Sequence, residues 1–141
     1  MATTRLAQTT DLDALRTLDP WPSEKSWHRL IGNGEAMVLE IDGQVVGMLH
    51  FAVLWATVPF LCQIEIAEAH RGKGHSRQMI GALADHLRAE GYVALLSSSQ
   101  TDEPEPQAWH VHLGFTSNGI IENIEDEGIG EVVFRLLLTD D

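Results

Sequence analysis

The chain has 141 residues, with 21 Asp and Glu against 9 Lys and Arg and a formal charge of −12. That balance excludes a broad basic face for nucleic acid and simple attraction to an anionic membrane. The length predicts one domain over residues 1–141, 44% apolar content argues against disorder, and the lone Cys62 excludes an internal disulfide framework.

Arg5-Leu6-Ala7 opens a first strand. Thr10 reads as a helix N-cap with Asp13 three residues on, and Leu12, Leu15 and Leu18 follow at helical spacing up to Asp19-Pro20. Pro22-Ser23 starts a second helix with Trp27, Leu30 and Ile31 on its apolar side, ended by Gly32-Asn33-Gly34. Ala36–Ile41 and Gln44–Trp55 read as strands joined by the hairpin signal Asp42-Gly43, and Phe60–Ile66 as a third. The run from Phe51 to Ala56 is far shorter than the roughly 20 apolar residues of a spanning helix. No long apolar segment follows Arg5, so neither a signal peptide nor a membrane contact is expected, and the expected compartment is cytoplasmic.

A Gly-rich stretch, Arg71-Gly72-Lys73-Gly74-His75-Ser76, leads into a helix whose stripe is Met79, Ile80, Leu83, Ala84 and Leu87, with Gly91 as its stop. Tyr92–Ser98 reads as a strand, Thr101–Pro106 as a loop, and Gln107–Leu113 as a short helix ended by Gly114. Phe115–Ile124 and Glu131–Leu138 complete the set as strands around the acidic turn Glu125-Asp126-Glu127-Gly128. The order predicts an α/β (α+β) fold: a mixed, largely antiparallel sheet flanked by about four helices.

Charge is unevenly placed. Residues 1–100 carry 8 basic and 11 acidic side chains, whereas residues 101–141 carry 1 and 10. Arg71, Lys73 and Arg77 form a basic island with no acid among them. Gly72 and Gly74 let the backbone approach a ligand closely, and a helix starting there offers unbonded N–H groups and the positive end of its dipole. Such a turn suits a phosphate or pyrophosphate. It is neither a P-loop, because Gly74 follows Lys73, nor a dinucleotide fingerprint, because a third glycine is missing.

Arg71-Gly72-Lys73-Gly74-His75-Ser76 resembles the pyrophosphate loop of the Gcn5-related N-acetyltransferases (GNAT), Arg/Gln-x-x-Gly-x-Gly/Ala, with Ser76 in place of the last small residue. Downstream, Trp109-His110-Val111-His112-Leu113-Gly114-Phe115 resembles that family's Phe-Tyr-x-x-Leu-Gly-Phe, at the family's spacing and with its element order. The resemblance implies acetyl transfer from acetyl-CoA to an amine, with no metal. It implies that Ile64–Ala67 meets the pantetheine arm, Ile66 and Ala67 lie at the thioester, and Lys73 to Ser76 take the pyrophosphate with Arg71 shaping or contacting it. The acceptor is left open between a small molecule and a peptide amine, and a homodimer is left open too. Without chemistry, the same motifs would make a non-catalytic acyl-CoA-binding or regulatory module.

An alkylamine must lose a proton before it attacks, which costs roughly 4–5 kcal/mol at pH 7. Glu65, beside the presumed thioester, is the first candidate base, or else it is an exposed carboxylate or structural ion pair. Glu68 is the second candidate, and Ser97, Ser98 and Ser99 could order a water or the acceptor, or simply end a strand. His110 stands where the family commonly has Tyr: it is either an acid or stabiliser for the leaving thiolate, or a packing residue with water as the proton source. His110-Val111-His112 on a helix points its two imidazoles apart and is not read as a metal site. Cys62 is expected to be buried, and Trp21, Trp27, Trp55 and Trp109 to line core or pocket; the resemblance, in which the first two helices flank the acceptor groove, implies that Trp21 and Trp27 lie near the acceptor.

Overall fold

The computed structural model describes residues 1–139. Seven strands are present among them: β1 (Ala2–Leu6), β2 (Ala36–Ile41), β3 (Gln44–Leu54), β4 (Val58–Ile66), β5 (Ala94–Gln100), β6 (Thr116–Ile121) and β7 (Glu131–Leu137). They form one sheet in the order β1-β2-β3-β4-β5-β7-β6. Four helices accompany it: α1 (Leu12–Leu18), α2 (Glu24–Gly32), α3 (His75–Ala89) and α4 (Pro104–His112). Pairing is antiparallel for β1–β2, β2–β3, β5–β7 and β6–β7, and parallel for β4–β5, where Phe60 lies opposite Leu96. This is the mixed, largely antiparallel architecture that the element order predicts. No helix of the described residues is long and apolar enough to cross a membrane.

The chain divides into two compact units. The first comprises Met1–Ala52 and Cys62–His86. Its hairpin turns at Asp42 (φ +50°) and Gly43 (φ +81°), the paired left-handed conformation that an Asp-Gly turn favours. Ser23 caps α2 by accepting from the Ser26 N–H at 3.1 Å. Trp27 and Leu30 of α2 pack with Leu15, Ala36, Val38 and Met48 in one core cluster. β1 starts at Ala2 rather than Arg5, because Ala2–Leu6 pairs residue by residue with Met37–Ile41. The expected Thr10 cap is replaced by a 3-10 turn, Thr9–Asp11. Asp11 accepts from the Gln8 N–H and from Arg5 Nη1, each at 2.8 Å. Arg5 holds the Asp11 carboxyl below its usual range, and this near-buried pairing prevails over a local cap at Thr10.

Gly47 of β3 is a close-approach position. A Cβ there would sit 2.8 Å from Ile66 Cδ1, 3.1 Å from Leu39 Cβ and 3.3 Å from Met79 Sδ. Gly47→Ala should destabilise the protein by about 1–3 kcal/mol through overpacking, read as a lowered midpoint in urea with unchanged slope. An unchanged midpoint would mean that Ile66 and Met79 yield freely.

The second unit comprises Val53–Leu61 and the chain from Leu87 onward. β3 stops at Leu54, one residue short of expectation, because Trp55 (φ +53°) and Ala56 (φ +62°) form a tight turn closed by Thr57 N–H to Leu54 O at 3.0 Å. Gly91 (φ +91°) ends α3 as predicted: Gly91 N–H bonds Arg88 O and Tyr92 N–H bonds Leu87 O, each at 3.0 Å. α4 begins at Pro104, inside the stretch expected to be loop, since a proline in the first turn costs no helical hydrogen bond. β6 ends at Ile121, three residues early, as an exposed strand with a bulge between Ser117 and Ile120. β7 buries Val132, Val133 and Phe134.

Candidate functional site

In the first unit, the end of β4 and the turn after it are tied together by Arg71. Its Nε donates to Ile66 O at 2.9 Å, and its Nη2 donates to Glu65 Oε1 at 2.7 Å. Of the two readings of Glu65, the ion pair is therefore present, yet Oε2 carries no partner among the described residues and the side chain is 35% exposed. The carboxylate is thus held in one orientation and still open on one side. Arg71 is engaged as a clamp that shapes the turn.

The Ala67 N–H donates to Val46 O at 2.8 Å, and the Ala67 carbonyl accepts from the His70 N–H at 2.8 Å. Both backbone groups of Ala67 are thereby satisfied within the protein. Gly72 (φ +75°) and Gly74 (φ +80°) both adopt the left-handed region, which side chains other than glycine's rarely tolerate. Gly74 directly precedes α3, and its carbonyl accepts from the Gln78 N–H at 3.1 Å. The first-turn N–H groups of α3 therefore begin at His75 and Ser76, with exposed Lys73 just before them. This is a helix start, preceded by two left-handed glycines and a lysine, of a kind that receives an anion.

Face assignment follows from alternation. Met48 and His50 of β3 share a face with Trp27 of α2: Met48 through the core cluster, and His50 through an edge-on ring contact at 5.4 Å. Gly47 faces the other way, toward Ile66 and Met79 of α3. Ile66 thus lies on the α3 side, and Glu65 points to the face that carries α2 and His50.

In the second unit, His110 of α4 is only 3% exposed. Its Nδ1 lies 2.8 Å from Pro106 O, and its Nε2 lies 2.7 Å from Ser97 Oγ. A carbonyl can only accept, so Nδ1 carries the proton and donates, and Nε2 accepts from the Ser97 hydroxyl. The ring stacks on Phe134 at 4.3 Å and meets Trp109 and Phe115 edge-on. Burial pushes the imidazole below its ordinary pKa, which keeps it neutral. This geometry favours the packing reading of His110 over the acid. Ser97 and Ser99 are buried on one face of β5, and Ser98 points the other way.

Several expectations change. Cys62 is exposed, because the in–out alternation of β4 breaks at Cys62 and Gln63. Trp27 is a core residue, Trp21 is 89% exposed and Trp55 is exposed, so neither Trp21 nor Trp55 belongs to the core. His110 is buried and His112 is exposed, and no group of three or more metal-ligating side chains occurs among the described residues. Glu68 lies exposed in a 3-10 turn. Sequence reading missed the Arg71–Glu65 clamp, whose only signal was opposite charges six residues apart, and the Ser97–His110 bond, which has no local signal.

The sequence profile of the acetyltransferase (GNAT) family matches residues 5–115. No curated protein matches the chain in sequence. Solved structures match it in fold. The ribosomal-protein-S18-alanine N-acetyltransferase of Escherichia coli superposes with a TM-score of 0.83 at 21% identity, over 100% of this chain and 96% of that one. A structure from Salmonella typhimurium, solved with its cofactor acetyl-CoA, gives 0.80 at 19% identity, over 99% and 95%. The spermidine/spermine N-acetyltransferase of Vibrio cholerae gives 0.80 at 17% identity, over 97% and 92%. At such identities the likeness speaks to the fold alone.

Proposed function

The chain belongs to the acetyltransferase (GNAT) family, and from that premise we propose that it is an acyl-CoA-dependent N-acyltransferase, moving acetyl from acetyl-CoA to an amine. The observation that carries this reading is the Gly72–Gly74 turn, left-handed at both glycines and opening directly into α3. Acetyl-CoA is a co-substrate. Its pyrophosphate lies on the backbone from Lys73 to Ser76, held by N–H groups and the positive end of α3. Arg71 keeps that turn in register with the end of β4. The thioester lies along Ile66 and Ala67, where a backbone donor opposes the charge that develops on its oxygen. The Ala67 N–H already serves Val46, so that donor comes from another residue of the strand end.

Glu65 engages the acceptor's ammonium through Oε2 and holds it at the thioester while its proton is taken. The freed amine attacks the thioester carbon, the C–S bond breaks, and coenzyme A leaves as a thiolate that is protonated by water. His110 holds α4 on β5 and takes no part in the proton transfers. The acceptor is a small-molecule or peptide amine. A spermidine/spermine enzyme and a ribosomal-protein enzyme sharing this fold support both kinds.

One observation favours a second reading, a non-catalytic acyl-CoA-binding module: neither nitrogen of His110 is left to serve a thiolate. A single assay separates the two. Acetyl-CoA should raise the melting temperature, and adding spermidine or a peptide with N-terminal alanine should release free thiol. Stabilisation without thiol release for any amine tried would favour the binding module, and neither effect would remove both readings.

A further inference from the structure

On the face to which Glu65 points, the first unit carries a second proton-accepting group. Asp19, between α1 and α2, is 4% exposed. Its Oδ1 accepts from the Trp21 N–H at 3.2 Å, and its Oδ2 lies 3.3 Å from His50 Nε2. A carboxylate only accepts, so His50 donates through Nε2 and its Nδ1 is the basic atom of the neutral ring. Nδ1 has no partner among the described residues, and the His50 side chain is 14% exposed, so part of the ring reaches the surface. A carboxylate that sets the tautomer of an imidazole whose far nitrogen is open is the arrangement of a general base. The buried Trp27 Nε1–H beside this ring has no acceptor among the described residues, and a ligand's polar atom would satisfy it.

We propose that His50, positioned by Asp19, receives the proton that the acceptor ammonium gives up, with Glu65 as the charge that draws the cation to that face. This role rests on the acyltransfer reading. The ammonium N–H bond breaks, an N–H bond forms at His50 Nδ1, and the amine lone pair becomes free to attack the thioester carbon. The imidazolium is held by the Asp19 carboxylate and later loses its proton to water. The amine's second proton leaves once the new C–N bond has formed, and the departing thiolate takes one from water, so the products are an amide, coenzyme A thiol and one proton.

Burial pushes His50 below its ordinary pKa, and Asp19 opposes that shift. Asp19 is the charged group paired with the ring. Trp27 meets it from α2, Ala36 lies opposite on β2 with Glu35 heading that strand, and Glu65 and Cys62 belong to β4. The test is kcat at saturating spermidine or alanyl peptide from about pH 5 to 8. The unsubstituted enzyme should lose rate on an acid limb whose midpoint lies below the ordinary imidazole value of about 6.5. His50→Gln should cut kcat roughly tenfold or more at neutral pH and remove that limb. Asp19→Asn should keep the limb but shift it to lower pH, because the charge that supports the imidazolium is gone. A merely structural dyad would lower stability without moving the limb. The two variants report independently, so one that does not fold leaves the other to decide. Turnover with the limb unmoved overturns the role of His50 alone. Thiol release with neither amine overturns the acyltransfer reading, and this role with it.

Discussion

Glu65→Gln should lower kcat for an amine acceptor by about 100-fold while leaving acetyl-CoA affinity within about twofold. The substitution is nearly isosteric. The amide oxygen can still accept from Arg71 Nη2, so the clamp between the end of β4 and the Gly72–Gly74 turn survives. What disappears is the negative charge that binds the ammonium and holds it in place for deprotonation and attack. A 100-fold loss corresponds to about 2.7 kcal/mol of activation barrier, within what correct placement of a reacting group supplies. Free-thiol release against acetyl-CoA and amine concentration separates kcat from binding. A variant as fast as the original would make the Arg71–Glu65 pair a strut and nothing more.

The contrast between this pair and the turn that follows shows what local sequence can and cannot carry. Gly72 and Gly74 announce themselves, because left-handed backbone at a helix start is a local demand met by few residue types. Asp42-Gly43 is legible for the same reason, as is the Gly91 stop of α3. The turn at Trp55-Ala56 is not, since both residues take left-handed angles against their own preference and only the pairing of the strands around them accounts for it. The start of α4 was hidden by Pro104 and Pro106, which argue for a loop until one sees that a first helical turn tolerates them.

Side-chain partnerships were the least legible. His110 is legible as a position, but its surroundings come from Ser97, thirteen residues earlier, and from Phe134 on β7. Asp19 and His50 meet across 31 residues, and nothing near either one signals the other. Asp11 and Glu40 share Arg5 in the same way, which is why a cap placed by local rules at Thr10 gave way to the 3-10 turn. Patterns of period 2 and 3.6 report which face of an element is apolar. They do not report which polar groups the folded chain brings together on that face.

His110 provides the second large effect, on stability. His110→Ala would leave a cavity against Phe134 and strip partners from the buried Ser97 hydroxyl and from the Pro106 carbonyl, at a cost of about 2–4 kcal/mol. For a chain of this length that is a fall of roughly 6–16 °C in melting temperature. The folded protein also favours the neutral imidazole, because burial lowers its pKa from the ordinary 6.5. The unfolded chain therefore takes up the proton first as pH falls. The contribution of this group is complete above about pH 6.5 and drains away below it, by up to about 1.4 kcal/mol per pH unit, until the folded pKa is reached. His50 is lowered in the same direction and adds to the acid loss. His110→Phe keeps a ring to stack on Phe134 while removing one titration, so its melting temperature should depend less steeply on pH below 6.5 than that of the original protein. If His110 only packs, this variant, assayed where it is folded, should turn over at the original rate. A tenfold slower rate with unchanged acetyl-CoA affinity would instead return His110 to the leaving thiolate, and would require the Ser97 bond to open during turnover.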